Sequence, residues 1–170
     1  MTGISISLTG HDEAMRRVEA AINHAENTLD MFDQIGAAVV VSTQQRWERE
    51  VDPDGNPWPK SVRVLIEGGK TLRDTGFFFN SVTHLPTSHG VEVGSDAIQA
   101  AVMQFGATIT AKTEKGLTFK GATGWANVQS VTIPARPWLG LDEEDDAEII
   151  AIAGEWIAGP YQEAEAAHAR

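Results

Sequence analysis

Two short segments do most to limit what this chain can fold into. Asp52-Pro53-Asp54-Gly55-Asn56-Pro57-Trp58-Pro59 holds three prolines and a glycine in eight residues. Proline fixes φ and has no backbone donor, so this stretch is neither helix nor central strand but a rigid turn or loop. Pro134-Ala135-Arg136-Pro137-Trp138-Leu139-Gly140 is a second segment of fixed shape. In both, a tryptophan stands next to proline.

Periodicity describes the rest. Ile4, Ile6 and Leu8 alternate with Ser5, Ser7 and Thr9, which reads as a short strand. Met15, Val18, Ile22, Ala25 and Leu29 recur at spacings of three and four, and so do Phe32, Ile35, Val39, Thr43 and Trp47. These stripes predict helices over about 11–29 and 30–51, or one long helix broken near Thr28–Asp33, with Asp30 and Asp33 capping the second. Short helical turns are expected at Ser61–Glu67 and at Phe77-Phe78-Phe79. A hairpin follows, with strands Ser81–Leu85 and Val91–Gly94 about a turn at Pro86–Gly90. Ser95 is placed to cap a helix through Ala97, Ile98, Ala101, Val102 and Phe105, which Gly106 ends. Thr108–Ala111 and Gly116–Phe119 have strand composition about a charged turn, Lys112–Lys115. Gly121–Asn127 reads as loop, and Gln129–Ile133 as a further strand. Asp142 caps a last helix whose acidic first turn suits the macrodipole. Ile149, Ile152, Ala153, Trp156 and Ile157 form its apolar face, and Gly159-Pro160 stops it. The expected architecture is α+β: N-terminal helices, a small antiparallel sheet with a short helix, and a closing C-terminal helix. Residues 1–158 read as one structural domain and 159–170 as a tail.

At 170 residues and 42% apolar content, the chain can form a real core. It has no cysteine, which removes disulfides, thiolate metal sites and cysteine nucleophiles. The longest apolar run, Gly36–Val41, is far short of the ~18 residues of a membrane helix. The N-terminus shows no secretory pattern, so synthesis and assembly in the cytoplasm are expected. The formal net charge of −11 is unevenly spread: −6 over residues 1–59, +3 over 60–140 and −8 over 141–170. An acidic chain repels phosphate backbones, which disfavours general nucleic-acid binding. The segregation suits a subunit whose one end meets the oppositely charged face of a neighbour.

The side chains offer little chemistry. His84, His89 and Glu92 flank a turn, but their spacing is not that of a metal site. Gly68-Gly69-Lys70-Thr71 lacks the earlier glycine of a phosphate-binding loop. Ser81 and Ser130 have no glycine elbow, and Glu48 and Glu50 do not share a helix face. The reading is of a protein that is not an enzyme, with no catalytic residue, metal ligand or cofactor. Trp58 and Trp138 are either interface anchors, which lose little entropy on docking, or plugs at the core edge. Of Phe77, Phe78 and Phe79, at least one has to meet another element or another subunit.

Five segments come in a familiar order: Asn56-Pro57-Trp58; Thr71-Leu72-Arg73-Asp74-Thr75-Gly76 with Asn80-Ser81-Val82; Val91-Glu92-Val93-Gly94-Ser95; Gln104-Phe105-Gly106; and Ile133-Pro134-Ala135-Arg136-Pro137-Trp138-Leu139-Gly140-Leu141 before an acidic helix. Over roughly residues 30–158 the series resembles the phage virion morphogenesis family, the tail completion proteins of Mu-like and P2-like tailed phages. The resemblance implies a structural virion protein that completes the tail or joins it to the head as a ring-forming neck or tail-terminator subunit. It implies a homo-oligomer, a hexamer or dodecamer ring, at the head–tail junction or tail end. The expected partners are other head–tail junction and tail proteins, with no membrane and no sequence-specific nucleic acid, and with a ring through which DNA can pass. Trp58, Phe77, Phe78, Arg136 and Trp138 are the candidate subunit-interface residues. The competing reading is a monomeric adaptor that uses Trp58 and Trp138 as one exposed patch.

Overall fold

The structure, a computed structural model, describes Ile22, His24 and residues 28–121 and 124–168. The strand expected at Ile4–Leu8 and most of the helix expected over 11–29 lie outside these residues; Ile22 and His24 are helical.

Helix α1 spans Leu29–Arg49 and buries Ile35, Gly36, Val39, Thr43, Arg46 and Trp47. That is the stripe the spacing predicts, with Arg46 added to it. Gly36 has a packing reason: a Cβ there would sit 2.5 Å from the His84 ring and 2.6 Å from Val91. Its bare backbone lets α1 press against the central hairpin. The caps differ from expectation. Thr28 is the N-cap residue, and its hydroxyl donates to the Ser88 carbonyl at 2.6 Å instead of capping the helix. Asp30 stays in the first turn, while the Asp33 carboxylate meets His84 Nε2 at 2.9 Å.

Helix α2 is Val62–Glu67, capped by Ser61 Oγ, which accepts from the Val64 N–H. Helix α3 is the single turn Phe77–Asn80. Strands β1 (Val82–Thr87) and β2 (Gly90–Ser95) form the expected antiparallel hairpin, in register from Val82 opposite Ser95 to Thr87 opposite Gly90. Pro86 lies within β1, where an edge strand of a two-stranded ladder tolerates it. Helix α4 is shorter than predicted, Ala100–Phe105. Ser95 does not cap it, because Ser95 Oγ is engaged with Ser81 Oγ and with the Ala97 N–H.

The next strands pair differently from the sequence reading. β3 (Ala107–Thr110) pairs with β6 (Ser130–Ile133), and β4 (Leu117–Gly121) pairs with β5 (Gly124–Val128), both antiparallel. Residues 124–127, expected in a loop, are strand. The four strands make one long two-stranded ribbon, in which 111–116 bulge out opposite Gln129; the Ala111 N–H bonds the Gln129 carbonyl at 2.8 Å. The single small sheet of the sequence reading is therefore three two-stranded ladders. The class remains α+β.

Helix α5, Glu143–His168, is capped by Asp142 as expected but does not stop at Gly159-Pro160. Proline at 160 leaves the Trp156 carbonyl without its usual intrahelical donor. His24 Nε2 lies 2.7 Å from that oxygen, and its ring stacks on Trp156 at 4.2 Å. An outside partner thus takes the orphan acceptor, and the helix continues. No described helix is long and apolar enough to cross a membrane.

Candidate functional site

The core forms where the two proline-framed segments meet. Trp47, at the end of the α1 stripe, is its hub. Its ring makes edge-to-face contacts with Trp58 (6.0 Å), Phe78 (4.7 Å), Phe79 (5.8 Å) and Trp138 (5.7 Å). Such pairs add about 0.5–1.5 kcal/mol each beyond burial. Every indole N–H in the cluster is satisfied: Trp58 Nε1 donates to the Pro137 carbonyl at 2.9 Å, Trp138 Nε1 to Ala100 at 3.0 Å and Trp47 Nε1 to Trp138 at 3.4 Å.

Four of the five candidate interface residues lie inside this arrangement. Trp58, Phe78 and Trp138 are core residues, with Trp138 only 3% exposed. Arg136 is buried too; its Nε donates to the Pro59 carbonyl at 2.7 Å and so ties one proline segment to the other. Phe77 alone of the five faces solvent, at 65% exposure. The exposed Trp58–Trp138 patch of the adaptor reading does not exist. Proline framing turned both rings inward, where the neighbouring segment supplies carbonyls for their N–H groups.

The recognisable motifs turn out to be fasteners. The Gln104 carbonyl oxygen accepts from the N–H groups of Trp138 and Leu139 at 2.9 and 3.0 Å, and its amide donates to the Leu139 carbonyl at 2.8 Å. Glu50, in a left-handed conformation (φ 58°) at the end of α1, accepts from the Thr71 N–H at 2.6 Å. Burial pushes the Glu50 carboxyl up, but the Thr71 hydrogen bonds and the charges of Lys60 and Lys70 outweigh it and hold it below its ordinary value. Glu48 pairs with Lys70 and Arg73, and the Arg73 guanidinium lies 4.5 Å from the Phe79 ring centre. The two glutamates thus hold the 70–73 turn. His84 and Glu92 sit on opposite faces of the hairpin, because His84 is opposite Val93 and Leu85 opposite Glu92. No described group of three or more metal-ligating side chains converges.

Sequence reasoning missed Arg46. It is 1% exposed, and its Nη1 donates to Asp142 at 2.7 Å, Asp145 at 2.6 Å and Ser42 at 2.8 Å. Nη2 donates to the Gly140 carbonyl at 2.6 Å. Asp142 and Asp145 also cap each other's backbone: each N–H bonds the other's carboxylate, at 3.0 and 2.9 Å. Burial works to raise the Asp142 carboxyl, and the Asp145 N–H and the Arg46 guanidinium more than reverse it. The available signal was a charged residue one helical step from Thr43 on an apolar stripe.

With Asp142 and Asp145 taken by Arg46, three acids of the first α5 turn remain outward. Glu143, Glu144 and Asp146, with Asp52, Asp54 and Arg49, line an open cleft of about 570 Å³. This acidic end and the exposed Lys112 and Lys115 of the ribbon bulge are two chemically unlike surfaces.

No curated protein and no solved structure gives a significant match to the chain. A family model does match, over residues 8–158, and thus covers nearly the whole fold described above. By that match the chain belongs to the phage virion morphogenesis family, and its role lies in building the phage particle.

Proposed function

We propose that the protein is a ring-forming subunit of a tailed phage or prophage-like particle, which completes the tail or joins it to the head. The ring is a hexamer or dodecamer at the head–tail junction or tail end. It is assembled in the host cytoplasm against other junction and tail proteins, with DNA passing through without being read. A ring repeats one heterologous contact around an axis, so each subunit needs two different, complementary faces. The observation that carries the reading is that the acidic α5 end (Glu143, Glu144, Asp146) and the ribbon bulge, where Lys112 and Lys115 outweigh Glu114, lie on separate elements in a member of this family. Opposite charges at a repeated contact steer encounter and fix register. Light scattering of the purified protein at low and high salt tests it. The expected mass is six or twelve subunits, falling as salt screens the contact. The mass of a single subunit at every protein concentration in both salts overturns it.

A further inference from the structure

The β3–β6 ribbon poses a physical problem. A two-stranded ribbon is at best marginally stable alone in water; it needs a third strand or packing against a helix. Among the described elements, its strands pack appreciably only on one another. Yet each of its two ladders has an apolar side. Register puts Leu117, Phe119, Ala126 and Val128 on the same side of β4–β5, and Ile109 and Val131 on one side of β3–β6. The opposite side of the β3–β6 ladder is Thr108, Thr110, Ser130 and Thr132. The other side of β4–β5 mixes Thr118 and Asn127 with the exposed Trp125, so the side of Leu117, Phe119, Ala126 and Val128 is the continuous apolar surface that calls for a cover.

Helix α5 has the converse excess. Its inner face already carries the partly buried Ile149, Ile152, Ala153 and Trp156. A second stripe, Ala147, Ile150, Gly154 and Ile157, runs along the outside, with Ile150 71% and Ile157 63% exposed. Ile157, assigned to the inner face by its spacing, belongs to this stripe. A Cβ at Gly154 would meet nothing within 4 Å, so the stripe has a shallow seat between its two isoleucines. Its N-terminal end is acidic at Glu143 and Asp146. The lengths agree: five residues of strand span ~17 Å, and Ala147 to Ile157 along a helix ~15 Å.

We infer that the apolar β4–β5 side of this ribbon docks on the outward stripe of α5 in a second copy of the chain, with Lys112 and Lys115, which outweigh Glu114 in the bulge, against Glu143 and Asp146. A second copy is the occupant because this chain itself carries the matching face: apolar where the ribbon is apolar, and acidic where the bulge is basic. The ribbon also gains a helix that the described elements do not give it. The inference rests on the ring reading, since ribbon and stripe are different surfaces and their contact is head-to-tail.

Cysteine pairing tests it cleanly, because the chain has no cysteine of its own. Ala126→Cys and Gly154→Cys are both small-for-small changes at ribbon and stripe. Mixed and mildly oxidised, the two single variants are expected to form a disulfide-linked heterodimer. The double variant is expected to give a ladder of bands ending at a closed ring. Ile150→Asp, at an exposed position, is expected to keep its circular dichroism and lose the oligomer in light scattering. If the wild type assembles but no heterodimer forms and Ile150→Asp stays assembled, the ribbon–α5 contact is wrong and the ring reading survives. If the disulfide forms but the ladder stops at two, the contact stands and the ring falls. If the wild type is monomeric throughout and no disulfide forms, both fall.

Discussion

Arg46 occupies a place where helical spacing calls for an apolar side chain, and it is there because two carboxylates meet it. A guanidinium delivers several donors in one plane, so a single side chain holds Asp142, Asp145 and the Gly140 carbonyl together. Removing one partner of a buried pair strands the other charge. Arg46→Met is expected to lower stability by about 3–5 kcal/mol, read as a shift in the urea midpoint. Arg46→Met combined with Asp145→Asn is expected to recover part of that loss, because the stranded charge is gone. The sequence showed Arg46 only as one cation near the end of a stripe. Its partner lies 99 residues away, and separations of that kind are invisible to local periodicity. The tryptophans teach the same lesson from the other side. Their prolines announced rigidity correctly, but whether the ring points in or out depended on carbonyls in the other proline segment.

Single elements were legible where pattern and punctuation agreed. The stripe of α1, the β1–β2 hairpin about its turn and the Asp142 cap follow directly from spacing and residue type. Gly106 belongs with them: its φ is +69°, and a Cβ would sit 2.8 Å from the Ala135 nitrogen. Gly106→Ala is expected to cost about 1–3 kcal/mol, measurable as a lower thermal midpoint. The ribbon was misread because its bulge sets six residues of one strand against one of the other, which hides the pairing from any fixed-period template. Helix ends also carry the pH dependence. Glu50 and Asp142 both have carboxyls held below their ordinary values, so each binds its proton more weakly when folded. Their contribution is fully present above the unfolded carboxylate range and is lost as pH falls through the folded values. Urea midpoints are expected to be flat above about pH 5 and to fall steadily below about pH 4. A midpoint that rises on acidification removes both carboxylates from this role.

For the whole molecule, charge and shape are divided along the same line. The acidic closing helix and the basic bulge of the ribbon lie on separate elements, and the aromatic core holds together the helices and proline segments between them. Net charge of −11 works against association of like subunits, so a stable assembly depends on a local match strong enough to overcome general repulsion. Salt screens that repulsion as well as the matched contacts; because the contacts hold the assembly, dissociation is the expected response to about 1 M salt, where the Debye length shortens to about 3 Å. The architecture was readable in outline before any coordinates, whereas the ribbon and its bare face were not, since they depend on which strands pair.

The placement of the five tryptophans gives the molecule a built-in optical partition. Trp47, Trp58 and Trp138 share one dry cluster, whereas Trp125 stands on the ribbon at 78% exposure, on the face opposite Phe119. Emission from the buried cluster is expected to be blue and shielded from dissolved quenchers, and emission from Trp125 red and open to them. Loss of the first is expected to report that the body has melted, and a change in the second alone a change around Trp125 or the partly exposed Trp156, so folding and surroundings are read in two separate colours of the same signal.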